Sequence, residues 1–328
     1  MKKILVTGAS GFVGSFLVEE CLRRNLQVYA GVRKTSSRKY LKDERIRFLE
    51  MDFSDKILLR EQMQQERFDY IIHNAGVVSA PKLDDYWRVN FEYVKNLTEA
   101  LAGCYPAKFT LISSLAAYGP ASNNDLTDFL KEEDTPNPIN TYGKAKLAAE
   151  RHLTTLPDLP YIIIRPTGVY GPREQEIFIF FKLINHHVEG YIGFRRQHLT
   201  FIYVKDLARV VVDATLSQFT KKAYFISDGH HYSQSDLGRV AKGILKKSTL
   251  RFHVPLTLVR MVAWVMERIG KGDGKYPALN LEKVRILESL NWKCDIGPLK
   301  EDLNFKPEYD LETGIAEAIQ WYKKEGWL

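Results

Sequence analysis

The stretch Thr7-Gly8-Ala9-Ser10-Gly11-Phe12-Val13-Gly14 decides the architecture of this chain. It follows a short apolar run at 3–6. It leads into a stripe of Val13, Leu17, Val18, Cys21 and Leu22 that recurs at helical spacing. Arg23 and Arg24 suit the negative end of such a helix, and Asn25 is a stop residue that tolerates left-handed backbone. A second apolar run occupies 27–32. Strand, glycine turn, helix and strand in about thirty residues form the βαβ unit that opens a dinucleotide-binding fold. Gly8 permits the tight turn, Gly11 lets the main chain approach a pyrophosphate, and Gly14 lets helix and strand pack closely. The helix start offers N–H donors and a positive dipole end to phosphate oxygens. Thr7, Gly8, Ser10, Gly11, Phe12, Val13 and Gly14 are therefore candidate cofactor contacts. The spacing is GxxGxxG rather than GxGxxG.

Outward from this unit, further apolar runs at 46–50, 70–73, 109–113 and 161–165 alternate with amphipathic segments. Their continuous apolar character predicts parallel strands covered on both faces. The fold class is α/β: a Rossmann-type doubly wound parallel sheet with a smaller, mainly helical C-terminal substrate lobe. After Pro172 the pattern predicts helices at 174–190 and 205–216 and strands at 199–204 and 223–227. Beyond His230 it predicts mostly helices, interrupted at 270–274 and at Pro277, Pro298 and Pro307. We assign 1–171 plus 200–228 to a dinucleotide-binding domain, and 172–199 plus 229–328 to a substrate-binding lobe.

The 328 residues, 45% hydrophobic and 27% charged, are enough to bury a sizeable core. Cys21, Cys104 and Cys294 are too few and too scattered for a disulfide framework or a CxxC site, which points to a reducing compartment and hence the cytoplasm. Met-Lys-Lys followed by three apolar residues is too brief for a signal segment, and no stretch approaches a membrane span. The net charge of +7 is spread along the chain, with local clusters at 33–39 and 242–247 but no aromatic-interleaved stripe. A nucleic-acid partner is not expected. His186-His187 and His230-His231 lack accompanying carboxylates or cysteines, so they read as exposed pairs and no metal is expected.

After the second strand, enzymes that use NAD often place an acid against the ribose 2′-hydroxyl. Here the chain reads Gly31-Val32-Arg33-Lys34-Thr35-Ser36-Ser37-Arg38, with no acid. Arg33, with Lys34 and Ser37, offers charge-assisted bonds to a 2′-phosphate, so NADP is the expected cofactor and NAD the alternative. A solvated basic loop is the bland reading of the same residues.

Tyr142-Gly143-Lys144-Ala145-Lys146 sets Tyr142 and Lys146 four apart, on one helix face, with Asn140 as a cap. A phenol with an ordinary pKa near 10 is a poor base at neutral pH, and an adjacent ammonium favours its ionised form. Alone, such a pair is commonly a surface feature. In order along the chain, however, stand the glycine turn, Asp52-Phe53, Ser113-Ser114-Leu115-Ala116-Ala117-Tyr118-Gly119, Tyr142 and Lys146, then Arg165-Pro166-Thr167-Gly168-Val169-Tyr170-Gly171-Pro172.

Taken together, these motifs resemble the extended short-chain dehydrogenase/reductase family over essentially the whole chain. The resemblance implies a hydroxyl of Ser114 that binds the substrate oxygen, with Ser113 as its competitor. It implies Tyr142 as general acid/base and Lys146 as the group that binds the nicotinamide ribose and lowers the Tyr142 pKa. It further implies cofactor contacts at Asp52 and Phe53 (adenine end), at Asn74, Ala75 and Gly76, and at Pro166, Thr167 and Val169. Asn90 falls where the family often carries a helix-disturbing asparagine, a surface role being the alternative. A small-molecule substrate and a homodimer are also implied.

A dehydratase of this family would carry Asp-Glu where Leu115-Ala116 stand. A reductase or dehydrogenase is the leading expectation, with a nucleotide-sugar epimerase holding NAD and a non-catalytic dinucleotide sensor or assembly factor as alternatives. The pattern from Trp292-Lys293-Cys294-Asp295 through Trp321-Tyr322 to Trp327 resembles the hydroxysteroid dehydrogenase and dihydroflavonol reductase side of the family, implying a steroid-like, flavonoid-like or 3-keto lipid substrate. The segment 254–269 is apolar on most of its helical circumference. It is expected to wall an apolar pocket or to rest on a membrane through 255–271, or else to bury itself in its own lobe or a dimer interface.

Overall fold

A computed structural model describes residues 1–80, 82–122, 126–273, 277 and 279–328. The chain begins β1 (Lys3–Thr7), α1 (Phe12–Arg23), β2 (Gln27–Val32), β3 (Arg47–Glu50), α2 (Lys56–Glu66), β4 (Tyr70–His73) and α3 (Leu83–Trp87). A π-helical turn at Arg88–Glu92 leads into α4 (Tyr93–Ala100), β5 (Lys108–Ile112), a 3₁₀ turn at Leu115–Ala117, α5 (Thr141–Thr154) and β6 (Tyr161–Pro166). Then come β7 (Gly168–Tyr170), α6 (Glu176–Asn185), β8 (Val188–Ile192), β9 (Phe201–Tyr203), α7 (Val204–Leu216) and β10 (Lys222–Ile226). The remainder is α8 (Gln234–Leu245), β11 (Leu250–Val254), α9 (Leu256–Asp273), α10 (Leu281–Glu288), α11 (Gly297–Leu303) and α12 (Leu311–Lys324).

Seven strands form one parallel sheet in the order β10-β6-β5-β4-β1-β2-β3. Alternation in β1 shows how both faces are covered. Ile4 and Val6 pack with Leu17 and Val18 of α1 and Leu207 and Val211 of α7. Leu5 points the other way, to Leu59 of α2, Leu97 of α4 and Leu153 of α5. β5 and β6 are buried throughout, as doubly covered strands must be. The strand order reverses between β1 and β4, and the crevice at the carboxyl ends of such strands is where open sheets of this kind hold ligands.

Local sequence sets the ends of the site-bearing helices. α1 stops at Asn25, whose φ of 55° is left-handed. α5 starts where the Asn140 side chain accepts the Gly143 N–H at 2.8 Å, the cap expected from sequence.

Three expectations are corrected. The helix expected at 174–190 ends at Asn185, because His187 turns left-handed (φ 65°) and the chain enters β8. The largely helical region beyond His230 contains a further strand, β11, which pairs parallel with β8. Gly270 does not interrupt α9, which runs on to Asp273, and Gly274 lies outside the described residues. Among the described residues no helix is long and apolar enough to cross a membrane.

Candidate active site

The glycine turn forms a cradle that side chains would fill. A Cβ on Gly14 would sit 2.1 Å from the Gly8 carbonyl oxygen, and one on Gly8 (φ 63°) would meet Ala75 main chain at 2.9 Å. Gly11 is the exposed N-cap of α1 without side-chain capping, and the first turn of the helix carries no acid. The opening N–H groups of α1 are thus left for an anion. Ser10, Phe12 and Val13 are half-buried around this turn. Thr7 is fully buried: its Oγ1 accepts the Asn74 and Ala75 N–H groups at 3.2 and 3.1 Å, tying β1 to the end of β4.

With both lone pairs of Thr7 Oγ1 so engaged, its proton goes to Nδ1 of His73, 3.1 Å away. His73 is therefore the Nε2–H tautomer, and Nε2 has no partner among the described residues. Burial, reinforced by the charge of Lys146, pushes His73 down to about 3, so the ring is neutral.

Ser114, Tyr142 and Lys146 come together beside the carboxyl end of β5. The two adjacent serines part company. Ser113 is buried and donates to Glu150, whereas Ser114 is half-buried, caps the 3₁₀ turn through the Ala116 N–H, and lies beside the Tyr142 hydroxyl. Burial pushes Tyr142 up to about 12, opposed by the Ser114 hydroxyl. Lys146, 6.0 Å from the Tyr142 ring centroid, donates to the Ile112 carbonyl at 2.8 Å, and burial lowers it to about 8. The expectation that Lys146 depresses the Tyr142 pKa is thus not met. Desolvation of the phenol sets the direction, and the ammonium is turned to a carbonyl instead.

Lys146 also reaches the turn after β4, since a Cβ on Gly76 would lie 3.1 Å from Nζ and 2.9 Å from Asn90 Oδ1. Asn90 is completely buried in the π-helical turn, and its amide clasps both the N–H and the carbonyl of Val77. A surface role is thereby corrected. Behind Lys146, Glu150 meets Arg165 in a buried ion pair at 2.9 Å. In front, the Tyr86 ring stands edge-on to Tyr142 at 6.4 Å, and Glu282 of α10 accepts from both the N–H and the hydroxyl of Thr141. Arg165 opened a motif quoted from sequence, but neither it nor Glu150, Tyr86 or Glu282 was named there as a site residue.

Arg33 and Lys34 are exposed just past β2 and make no ion pair among the described residues. Ser37 is exposed and accepts the Lys39 N–H. Asp52 is exposed, accepting the Ser54 N–H. Phe53 is buried and stacks on Tyr93 at 5.1 Å, so its ring belongs to the core. Asn74 reaches the Gly8 carbonyl through Nδ2. Pro166 ends β6, the buried Thr167 Oγ1 has no partner among the described residues, and Val169 is half-buried in β7. A cavity of about 550 Å³ beside α1, lined in part by Tyr40, Arg173 and Trp321, contains none of the predicted site residues. All four histidines of the two pairs are exposed.

This geometry fits a dinucleotide: a cradle closed to side chains, uncapped helix donors above it, and a tyrosine–lysine pair one short step away. The comparisons with known proteins agree. Residues 4–226 match the profile of the NAD dependent epimerase/dehydratase family. A UDP-glucose 4-epimerase of Vibrio cholerae is 26% identical over 97% of this chain and 95% of its own length. A decarboxylating sterol-4-alpha-carboxylate 3-dehydrogenase of Candida albicans is 22% identical over 99% of each chain. The solved UDP-glucuronic acid 4-epimerase of Bacillus cereus, in complex with NAD, shares the fold with a TM-score of 0.78 at 22% identity, covering 98% of this chain and 99% of that one.

Proposed function

The chain belongs to the NAD dependent epimerase/dehydratase family, and from that premise we propose that it is an NADP-preferring reductase or dehydrogenase acting on an apolar ketone or secondary alcohol. The observation that carries the reaction class is the meeting of Ser114, Tyr142 and Lys146 at the end of β5, against the face that Gly76 opens. A nicotinamide dinucleotide held at the glycine turn supplies the two-electron chemistry at the reacting carbon.

The chain's own part is to place and move a proton. With its phenol pushed up to about 12, Tyr142 carries its proton at neutral pH, which suits donation to a carbonyl oxygen during reduction. Ser114 supplies a second hydrogen bond to the same oxygen. Lys146, anchored on the Ile112 carbonyl, steadies the tyrosinate left behind until it is reprotonated. In oxidation the roles reverse.

Two features support the finer reading. Arg33 and Lys34 stand exposed where an acid would meet a ribose 2′-hydroxyl, and they suit a 2′-phosphate. The segment leading to Tyr86 and the helix α6 carry the exposed apolar side chains Val78, Leu83 and Ile179, which suit a steroid-like, flavonoid-like or 3-keto lipid molecule. The likeness to the Vibrio epimerase favours a second reading, a nucleotide-sugar epimerase that holds NAD.

Nicotinamide absorbance with purified protein separates the two. NADPH consumption with apolar ketones is expected, lost in Tyr142→Phe. Arg33→Asp should lower kcat/KM for NADPH by about ten- to a hundredfold, with NADH less affected. Interconversion of a nucleotide sugar without net consumption would replace this reading by the second.

A further inference from the structure

Helix α9 has an apolar face with no counterpart among the described residues. Its inner edge, Val259 and Ala263, packs with Val284 of α10 and against Ile192 and Val254. At about 100° per residue, Leu258, Met261 and Val265 fall on the opposite side. These three, with Val262, Trp264 and Met266, are 38–57% exposed. A helix apolar on nearly every side is ordinarily buried, and a contiguous exposed patch of this kind marks an interaction surface. The side chains of 269–271, expected to extend it, lie outside the described residues.

Charge identifies what covers this face. Among the described side chains of α9 there is one carboxylate, Glu267, and it turns inward to accept the Leu281 N–H at 2.7 Å. Arg268 lies over the Trp264 ring at 4.3 Å. At the start of the helix, the turn after β8 carries Phe194, 72% exposed. Beside it are Arg195 and Arg196, exposed and without an ion pair among the described residues. That turn abuts α9: Gly193 donates its N–H to Val254 at 2.9 Å, and the Phe194 ring stacks on His253. An apolar centre, aromatic edges and a basic rim match a segment lying in the headgroup layer of an anionic bilayer. A second copy docked about a two-fold axis would instead bring the same arginines together.

We propose that α9 and the turn at 194–196 form a docking surface for an anionic lipid bilayer. The surface sits one helix from the reaction site: α10 packs on the inner edge of α9, and its Glu282 holds Thr141, next to Tyr142, at 3.0 Å to N–H and 2.6 Å to Oγ1. The proposal stands apart from the choice of substrate, since it concerns binding and not turnover.

Flotation of the full chain with phosphatidylcholine vesicles, with and without phosphatidylglycerol, tests it. Binding is expected to the anionic vesicles only, to weaken with salt, and to be unchanged in Tyr142→Phe. Met261→Glu with Val265→Glu should lower the bound fraction about tenfold or more, and Arg195→Glu with Arg196→Glu should do likewise. Unchanged thermal melting of both double variants shows that the fold is kept, as substitutions at exposed positions allow. Failure to bind anionic vesicles, equal binding to pure phosphatidylcholine, or a dimer in sedimentation velocity that the Met261/Val265 variant dissolves would each overturn it.

Discussion

Arg165 grips Glu150 in the interior, Nη2 to Oε2 at 2.9 Å, with the two side chains 6% and 5% exposed. Arg165 also lies over the Tyr118 ring at 4.4 Å, so the pair joins β6, α5 and the turn after β5. Removing one partner strands a buried charge. Glu150→Ala should cost about 3–5 kcal/mol in urea unfolding. Because Glu150 favours the charged form of Lys146 one turn away, the same variant should push Lys146 further below its lowered value of about 8. A midpoint unchanged from the wild type would contradict this account.

The adjacent serines should separate cleanly. Ser114→Ala is expected to slow turnover about a hundredfold, through loss of a donor to the substrate oxygen, with a modest effect on melting. Ser113→Ala leaves a buried Glu150 oxygen short of a donor. It should cost about 1–3 kcal/mol of stability while keeping most of the turnover. Parallel kinetics and melting curves on both variants decide the assignment.

His73 makes stability depend on pH. Its pKa falls from 6.5 unfolded to about 3 folded, because burial penalises the charged ring. The unfolded chain therefore binds the extra proton first. The contribution is whole above about 6.5 and is lost as pH falls toward 3, at up to about 1.4 kcal/mol per pH unit. In His73→Gln the slope of unfolding free energy against pH should flatten across that window, read from denaturant titrations at several pH values.

Two glycine-to-alanine changes on helices should act in opposite directions. At Gly14 the new methyl would lie 2.1 Å from the Gly8 carbonyl oxygen, and the expected cost is about 3 kcal/mol together with loss of dinucleotide binding. Gly243, in α8, has no described atom beyond its chain neighbours and its own helix backbone within 4 Å of such a methyl. Gly243→Ala should stabilise by about 0.5–1 kcal/mol through helix propensity. Fluorescence-monitored unfolding and titration with NADPH check both.

The central sheet was readable because strands covered on both faces appear as unbroken apolar runs, as Ile162–Ile164 do. The glycine turn was readable because its spacing has one steric meaning. β8 was not, since Glu189 and Gly190 look like the polar face of a helix. The carboxylate of Glu189 is buried only because Lys242, Thr249 and Arg251 arrive from far along the chain. β11 did carry a signal: Leu250, Phe252 and Val254 alternate with Arg251 and His253. In the site, the tyrosine–lysine spacing was visible. The buried partners around it were not, because Thr7–His73 and Glu150–Arg165 are contacts of the folded state that no local pattern encodes.

The last strand of the sheet arrives late. β6 closes against β5 on one side, but its other neighbour, β10, lies at Lys222–Ile226, with β7, α6, β8, β9 and α7 threaded between. A chain emerging from the ribosome therefore holds Tyr161–Pro166, apolar but for Arg165, as a bare margin until some sixty further residues have been made. Translation halted near residue 171 would leave a fragment that keeps its glycine turn and its tyrosine–lysine pair yet pairs with other chains along that margin. Recombinant truncation there should yield inclusion bodies rather than a small working enzyme.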